Sequence, residues 1–155
     1  YPWGAAALRK LNDAGLPVIV VTNQSGVSRG IFPESLVAEI HRQMAQELGA
    51  ARARLHAVYY CTHRREDQCD CRKPLPGLLQ RAAAEHGIDL ARSFVVGDRY
   101  LDVALAHAAG GRGVMVLSGY GRGEYEFHHH EWPQQPDHVA QDLQAAVDII
   151  LKTLS

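Results

Sequence analysis

Outside one eleven-residue window, Cys61 to Cys71, the sequence contains no cysteine. That distribution argues against a disulfide framework, because the count of three is odd and a chain of 155 residues does not need covalent staples. An excess of charge of either sign is lacking too. Sixteen Lys and Arg stand against seventeen Asp and Glu, a formal net charge of −1. No broad positive field therefore exists to hold nucleic acid or an anionic lipid surface. No apolar run approaches the ~20 residues that cross a bilayer, and no leader pattern is visible. With thiols expected in the reduced state, these features lead to the expectation of a cytoplasmic protein without nucleic-acid or membrane partners. Apolar residues are not scarce: 46% are hydrophobic and 21% charged, the composition of a globular chain. The length suits one domain over 1–155.

What is there concentrates in the same window. Cys61 and His63 are one residue apart, Cys69 and Cys71 likewise, and five polar residues join the halves. The pattern C-x-H-x5-C-x-C offers four ligands on a hairpin-sized loop, and zinc takes thiolate and imidazole donors tetrahedrally in closed structural sites. Three unrelated thiols beside a surface histidine are the alternative, which the tight spacing disfavours.

Around this window the chain alternates strands and helices. Val18–Val21 is a β-branched apolar run, the signature of a strand buried on both faces. Leu55–Tyr60, Phe94–Val96 and Val114–Leu117 read as further strands. Helices are expected over Ala5–Ala14, stopped by Gly15, and over Pro33–Leu48, with a stripe of Leu36, Ile40, Met44 and Leu48. Two more are expected from Pro76 to Gly87 and over Leu101–Ala109, and a last one from Asp137 with Val139, Leu143, Val147, Ile150, Leu151 and Leu154 inward. Gly121–Pro136, which holds His128–His130, reads as irregular; three consecutive histidines are more readily a loop feature than ligands of one ion. Trp3 and Trp132 read as packing anchors. The alternation implies a parallel α/β sheet with helices on both faces. Tyr1–Pro2–Trp3 runs straight into a helical pattern with no initiator methionine, and the sequence is expected to be an excerpt of a longer chain.

Three polar clusters follow strands directly, where α/β sheets place their ligands. Thr22–Asn23–Gln24 offers a hydroxyl, amides and backbone N–H groups for phosphate oxygens, or else forms a plain turn. Arg29 in the same loop adds a bidentate donor. Arg72 and Lys73 supply cations that suit a transferring phosphoryl group, or form a solvated basic pair. Asp98 ends a strand as a hard oxygen ligand for Mg²⁺, whereas Asp102 reads more readily as a carboxylate in a helix's first turn.

In this order the clusters resemble the haloacid-dehalogenase superfamily of phosphotransferases. Thr22 matches its second motif, Lys73 its third, and Gly97–Asp98 with Asp102 its fourth. TNQSGVSRG (Thr22–Gly30), C-x-H…CDCRKP and GDRYLD are similar to the zinc-loop branch, which holds sugar-bisphosphate phosphatases and the histidinol-phosphate phosphatase domain. The Ser25–Gly26 and Arg29–Gly30 pairs lean toward the former, and the similarity spans nearly the whole chain.

The resemblance implies a three-layer, doubly wound, mostly parallel α/β fold with a small zinc-binding loop. It implies a monomeric Mg²⁺-dependent phosphoric monoester hydrolase acting on a small phosphorylated sugar through an aspartyl-phosphate intermediate. Thr22 and Lys73 would stabilise the transferring phosphoryl group. Asn23, Gln24 and Ser25 would line the substrate loop, with Arg29 in the same loop. Arg72 would contact a second phosphate or the sugar, and Arg99 would also meet substrate. Asp98, and more weakly Asp102, would hold Mg²⁺, while Cys61, His63, Cys69 and Cys71 would hold structural zinc. One departure stands out: the family's first motif, D-x-D-G-T, which supplies the nucleophile and the general acid/base, is absent from 1–155. A histidinol-phosphate phosphatase, and a catalytically inactive zinc-stabilised binding domain, are the alternatives this leaves.

Overall fold

The computed structural model describes residue 1 and residues 3–155. Pro2, part of the unusual start, lies outside the described residues. Helices α1 (Gly4–Asp13), α2 (Glu34–Ala50), α3 (Gly77–His86), α4 (Tyr100–Ala108), α5 (Gly121–His128) and α6 (Leu143–Leu154) interleave with strands β1 (Ile19–Asn23), β2 (Ala57–Cys61), β3 (Phe94–Gly97), β4 (Arg112–Val116) and β5 (His138–Ala140).

Every strand pair is parallel, but β1, expected to be buried on both faces, is only half-buried along its length, as is β3, and it is β4 that runs through the core. The ladders fall into two sheets rather than one: β1 with β2, and β3–β4–β5 in that order. In the first, Val21 faces Tyr59 and Asn23 faces Cys61; in the second, Val96 faces Val114 and Val116 faces Ala140. Each sheet has its own core. Tyr59, Cys61, Leu78 and Ala82 close the space between β2 and α3. Val114, Val116, Ala140 and Ala146 close that between the second sheet and α6, whose other flank packs on α1.

Several expectations shift. The first strand continues through Thr22 and Asn23, which pair with Tyr60 and Cys61 instead of opening a loop. The last helix starts at Leu143, because Asp142 caps it by accepting the Ala145 N–H, and Val139 belongs to β5. Residues 121–136, expected to be irregular, hold α5 and a 3-10 turn, His129–Glu131. In α2 the innermost residue is Val37; Leu36 and Ile40 lie on the exposed flank. No helix is long and apolar enough to cross a membrane among the described residues.

One polar tie fastens the second sheet to its helix. The Asp137 carboxylate accepts the Gly113 N–H at 2.7 Å and meets Nε2 of His107 on α4 at 2.9 Å. Burial opposes its charge, yet His107 and the Gly113 N–H outweigh burial and hold its carboxyl below the ordinary 3.8. A lowered carboxyl stabilises the fold above its unfolded pKa, and that contribution disappears as pH falls through the folded value. Asp137→Ala should therefore cost about 1–2 kcal/mol at neutral pH. In urea unfolding the deficit should shrink toward zero as pH falls through the lowered folded value, below which the parent carboxyl is also protonated.

Candidate active site and metal centre

Lys73 is the point where the clusters meet. Its Nζ donates to Asp102 Oδ1 at 2.7 Å and to the Val21 carbonyl of β1 at 3.3 Å. It thus spans from the first sheet to the start of α4, which follows β3. Both partners of the ion pair are largely buried, with side chains 16% and 10% exposed. The Lys73 backbone is held as firmly. Asn23 Oδ1 accepts its N–H at 3.0 Å, and Asn23 Nδ2 donates to its carbonyl at 3.4 Å. An asparagine at a strand's last position can do this because its amide offers donor and acceptor side by side. Its carboxamide is committed to Lys73 rather than open to the cleft. Thr22 lies one residue back, its hydroxyl accepting from Gln24 at 3.3 Å.

Asp102 serves two partners. While Oδ1 holds Lys73, Oδ2 accepts the Arg99 N–H at 3.3 Å as the carboxylate of a capping box. The helix-turn reading of this residue and a place beside the cation are thus both realised. Gly97 permits it, because a Cβ there would collide with the Asp102 carboxylate. Lys73 faces Asp102, and Asp98 turns elsewhere. Asp98 Oδ2 accepts the Tyr120 N–H at 2.9 Å, leaving Oδ1 without a hydrogen-bond partner among the described residues. Gly119, with φ +63°, makes room where a Cβ would strike that carboxylate. Asp98 therefore retains an oxygen suited to a hard cation, whereas both Asp102 oxygens are engaged.

The cysteine window folds as a ligand cage. Cys61, His63, Cys69 and Cys71 place one donor atom each within 4.8 Å of all the others. Cys61 Sγ lies 3.1 Å from Cys71 Sγ and 3.7 Å from Cys69 Sγ, and His63 Nδ1 is 3.3 Å from Cys71 Sγ. A tetrahedron with metal–sulfur bonds of roughly 2.3 Å has edges of roughly 3.8 Å, so the donor set is compatible with zinc. Burial, then the neighbouring thiols, push Cys71 up to about 12, a crowding of like groups that a cation relieves. It is the group of three or more potential metal donors found among the described residues; Asp98 and Asp102 do not assemble a comparable set.

The cage is stapled to the loop after β1. Ser28 Oγ donates to the Thr62 carbonyl at 2.5 Å, Arg64 donates to the Ser28 carbonyl, and Gln24 N–H donates to the Cys61 carbonyl at 2.7 Å. Arg72 turns back, its Nη1 donating to the His63 carbonyl at 3.0 Å. Ser25 is half-buried inside that loop, and Arg29 is exposed on its crest. Arg99 sits at the opposite rim in an ion pair with Glu124, 2.9 Å from Nε to the carboxylate. Asn23, Gln24, Arg72, Lys73 and the cage are thus brought together, with Asp98 and Arg99 across the Lys73–Asp102 bridge. Sequence reasoning missed Ser28, Arg64, Tyr120 and Glu124. The first two are ordinary loop residues, and the last two lay in a stretch whose glycines hid a short helix.

The chain is similar to known proteins in both sequence and fold. Residues 70–146 match the HAD-hydrolase-like family. A D-glycero-beta-D-manno-heptose-1,7-bisphosphate 7-phosphatase of Rhodopseudomonas palustris is 45% identical over 70% of this chain and 64% of its own length. The D-glycero-D-manno-heptose-1,7-bisphosphate 7-phosphatase of Thermosynechococcus vestitus is 37% identical over 99% of this chain and 84% of its own. The crystal structure of the D,D-heptose 1,7-bisphosphate phosphatase from B. bronchiseptica, complexed with magnesium and phosphate, superposes with a TM-score of 0.89. It is 32% identical and matches 99% of this chain and 84% of the other.

The Asn23 clamp carries a prediction. Asn23→Ala should remove both ties to the Lys73 backbone and cost about 1–3 kcal/mol. Hydrogen exchange at the Lys73 amide should accelerate well beyond that of the β1–β2 ladder.

Proposed function

Because the chain belongs to the HAD-like hydrolase family, we propose that it is a Mg²⁺-dependent sugar-phosphate phosphatase whose substrate is D-glycero-D-manno-heptose 1,7-bisphosphate, cleaved at the 7-phosphate. The observation that carries this reading is Lys73, a largely buried cation clamped by Asn23 and Asp102 beside the strand-end residues Thr22 and Asp98. The heptose-bisphosphate phosphatases cited above support the choice of substrate over histidinol phosphate.

In the proposed reaction Lys73 and the Thr22 hydroxyl receive the non-bridging phosphoryl oxygens, where negative charge concentrates in the transition state. Gln24, Ser25 and Arg29 form the wall on the β1 side. Arg72, anchored on the His63 carbonyl, approaches from the cage side toward the sugar or its second phosphate. The free oxygen of Asp98 would hold Mg²⁺, which when bound neutralises phosphoryl charge. The cage would hold zinc, whose work is to fix Arg72, Lys73 and the Ser28 loop rather than to touch substrate. Formation of an aspartyl phosphate needs a nucleophilic carboxylate, and the D-x-D-G-T motif that would supply it is not found in 1–155. We assign that group to a segment outside these residues.

Two outcomes test the reading in the intact protein. Lys73→Ala should lower phosphate release from the heptose bisphosphate by about 10²–10³-fold. It should also cost about 3 kcal/mol, because Asp102 is left charged and buried. Adding Asp102→Asn should recover much of that stability without restoring turnover; recovered turnover would remove Lys73 from catalysis. Cys69→Ser should lower bound zinc measured by atomic emission, lower the melting temperature, and reduce turnover indirectly.

A further inference from the structure

The phosphatase reading leaves the first turn of α5 without a task, yet this turn grips the substrate rim at three points. Glu124, its side chain 21% exposed, spends both carboxylate oxygens on residues that follow Asp98. Oε2 forms an ion pair with the Arg99 guanidinium, 2.9 Å from Nε. Oε1 accepts the Tyr100 N–H at 2.9 Å, one of the N–H groups at the start of α4 that the helix itself cannot satisfy. The Tyr120 ring lies under the Arg99 guanidinium, 4.9 Å from Cζ to the ring centroid, and the Tyr120 N–H holds Asp98.

The Arg99 guanidinium is held between a carboxylate and an aromatic face, and its Nη1 and Nη2 have no hydrogen-bond partner among the described residues. Arg99 is half exposed despite these ties. An arginine restrained by an ion pair and a ring, with its terminal donors unspent, is preset for a planar, two-pronged contact with an oxyanion. Behind it, Tyr100 stacks on Trp132 at 4.6 Å, and Trp132 meets Tyr125 at 5.9 Å, so α5 is itself seated on a packed aromatic column.

We propose that Glu124 is a positioning residue that presents Arg99, backed by Tyr120, to an oxyanion of the phosphorylated substrate. The inference rests on the phosphatase reading. Glu124 touches no substrate; it acts by sparing Arg99 the loss of side-chain freedom that binding would otherwise exact.

The test separates charge from capping. Glu124→Gln retains an acceptor for the Tyr100 N–H but loses the ion pair with Arg99. In the intact protein it should raise KM for the sugar bisphosphate about tenfold, with kcat falling less than about threefold, since ordering a binding group acts on ground and transition states alike. The melting temperature should stay close to the parent's. Arg99→Ala should raise KM at least as much, and Glu124→Gln combined with Arg99→Ala should be no worse than Arg99→Ala alone. Additive effects, or an unchanged KM in Glu124→Gln, would overturn the inference. Should the parent protein fail to hydrolyse the bisphosphate, the phosphatase reading falls. The inference is then judged by titrating inorganic phosphate while following the Arg99 Nε–H resonance. A shift in the parent that weakens in Glu124→Gln supports it, and no shift in the parent overturns it.

Discussion

A single ion pair, Lys73 with Asp102, is the constraint on which the arrangement depends. Two sheets share no ladder among the described residues, and this pair bridges them. Charges this far from solvent are tolerated only when each finds its complement. Lys73 also donates to a β1 carbonyl, and Asp102 also receives the N–H at the start of α4. Strand end, helix start and cation are therefore positioned together, and a shift in one would strand a charge in another. The same pair makes stability and chemistry inseparable at Lys73.

The cysteine–histidine cage extends that logic to the surface. Its three thiols border the core between β2 and α3, and their sulfurs converge there with the His63 ring. Its carbonyls at Cys61, Thr62 and His63 are then spent on Gln24, Ser28 and Arg72, so the cage orders the loop after β1 and the residue before Lys73 in one step. A cation bound there would work at a distance, through backbone geometry alone.

Much of this was legible in the sequence. The β-branched runs, the ligand spacing and the strand-end polar clusters gave the parallel α/β class and the cage, because each rests on a local period or a short spacing. The bridge was not legible in full. Asp98 read as a Mg²⁺ ligand and Asp102 as a first-turn carboxylate, since sequence distance does not say which carboxylate Lys73 will meet. Asn23 read as a wall of the cleft, whereas its amide closes on the Lys73 backbone. Strand β5 is three residues long and α5 begins with Gly121 and Gly123, so neither carries a period long enough to register. Glu124 depends wholly on that missed helix.

The aromatic column beneath α5 gives the protein a built-in optical reporter. Of its two tryptophans, Trp3 stacks on Tyr1 at the chain's start, and Trp132 lies against Tyr100 at the mouth of the cleft. Replacing Trp3 with phenylalanine would leave one indole, whose emission reads the seating of α5 on the residue that follows Arg99. Events at the rim thereby become visible as light, without any label attached.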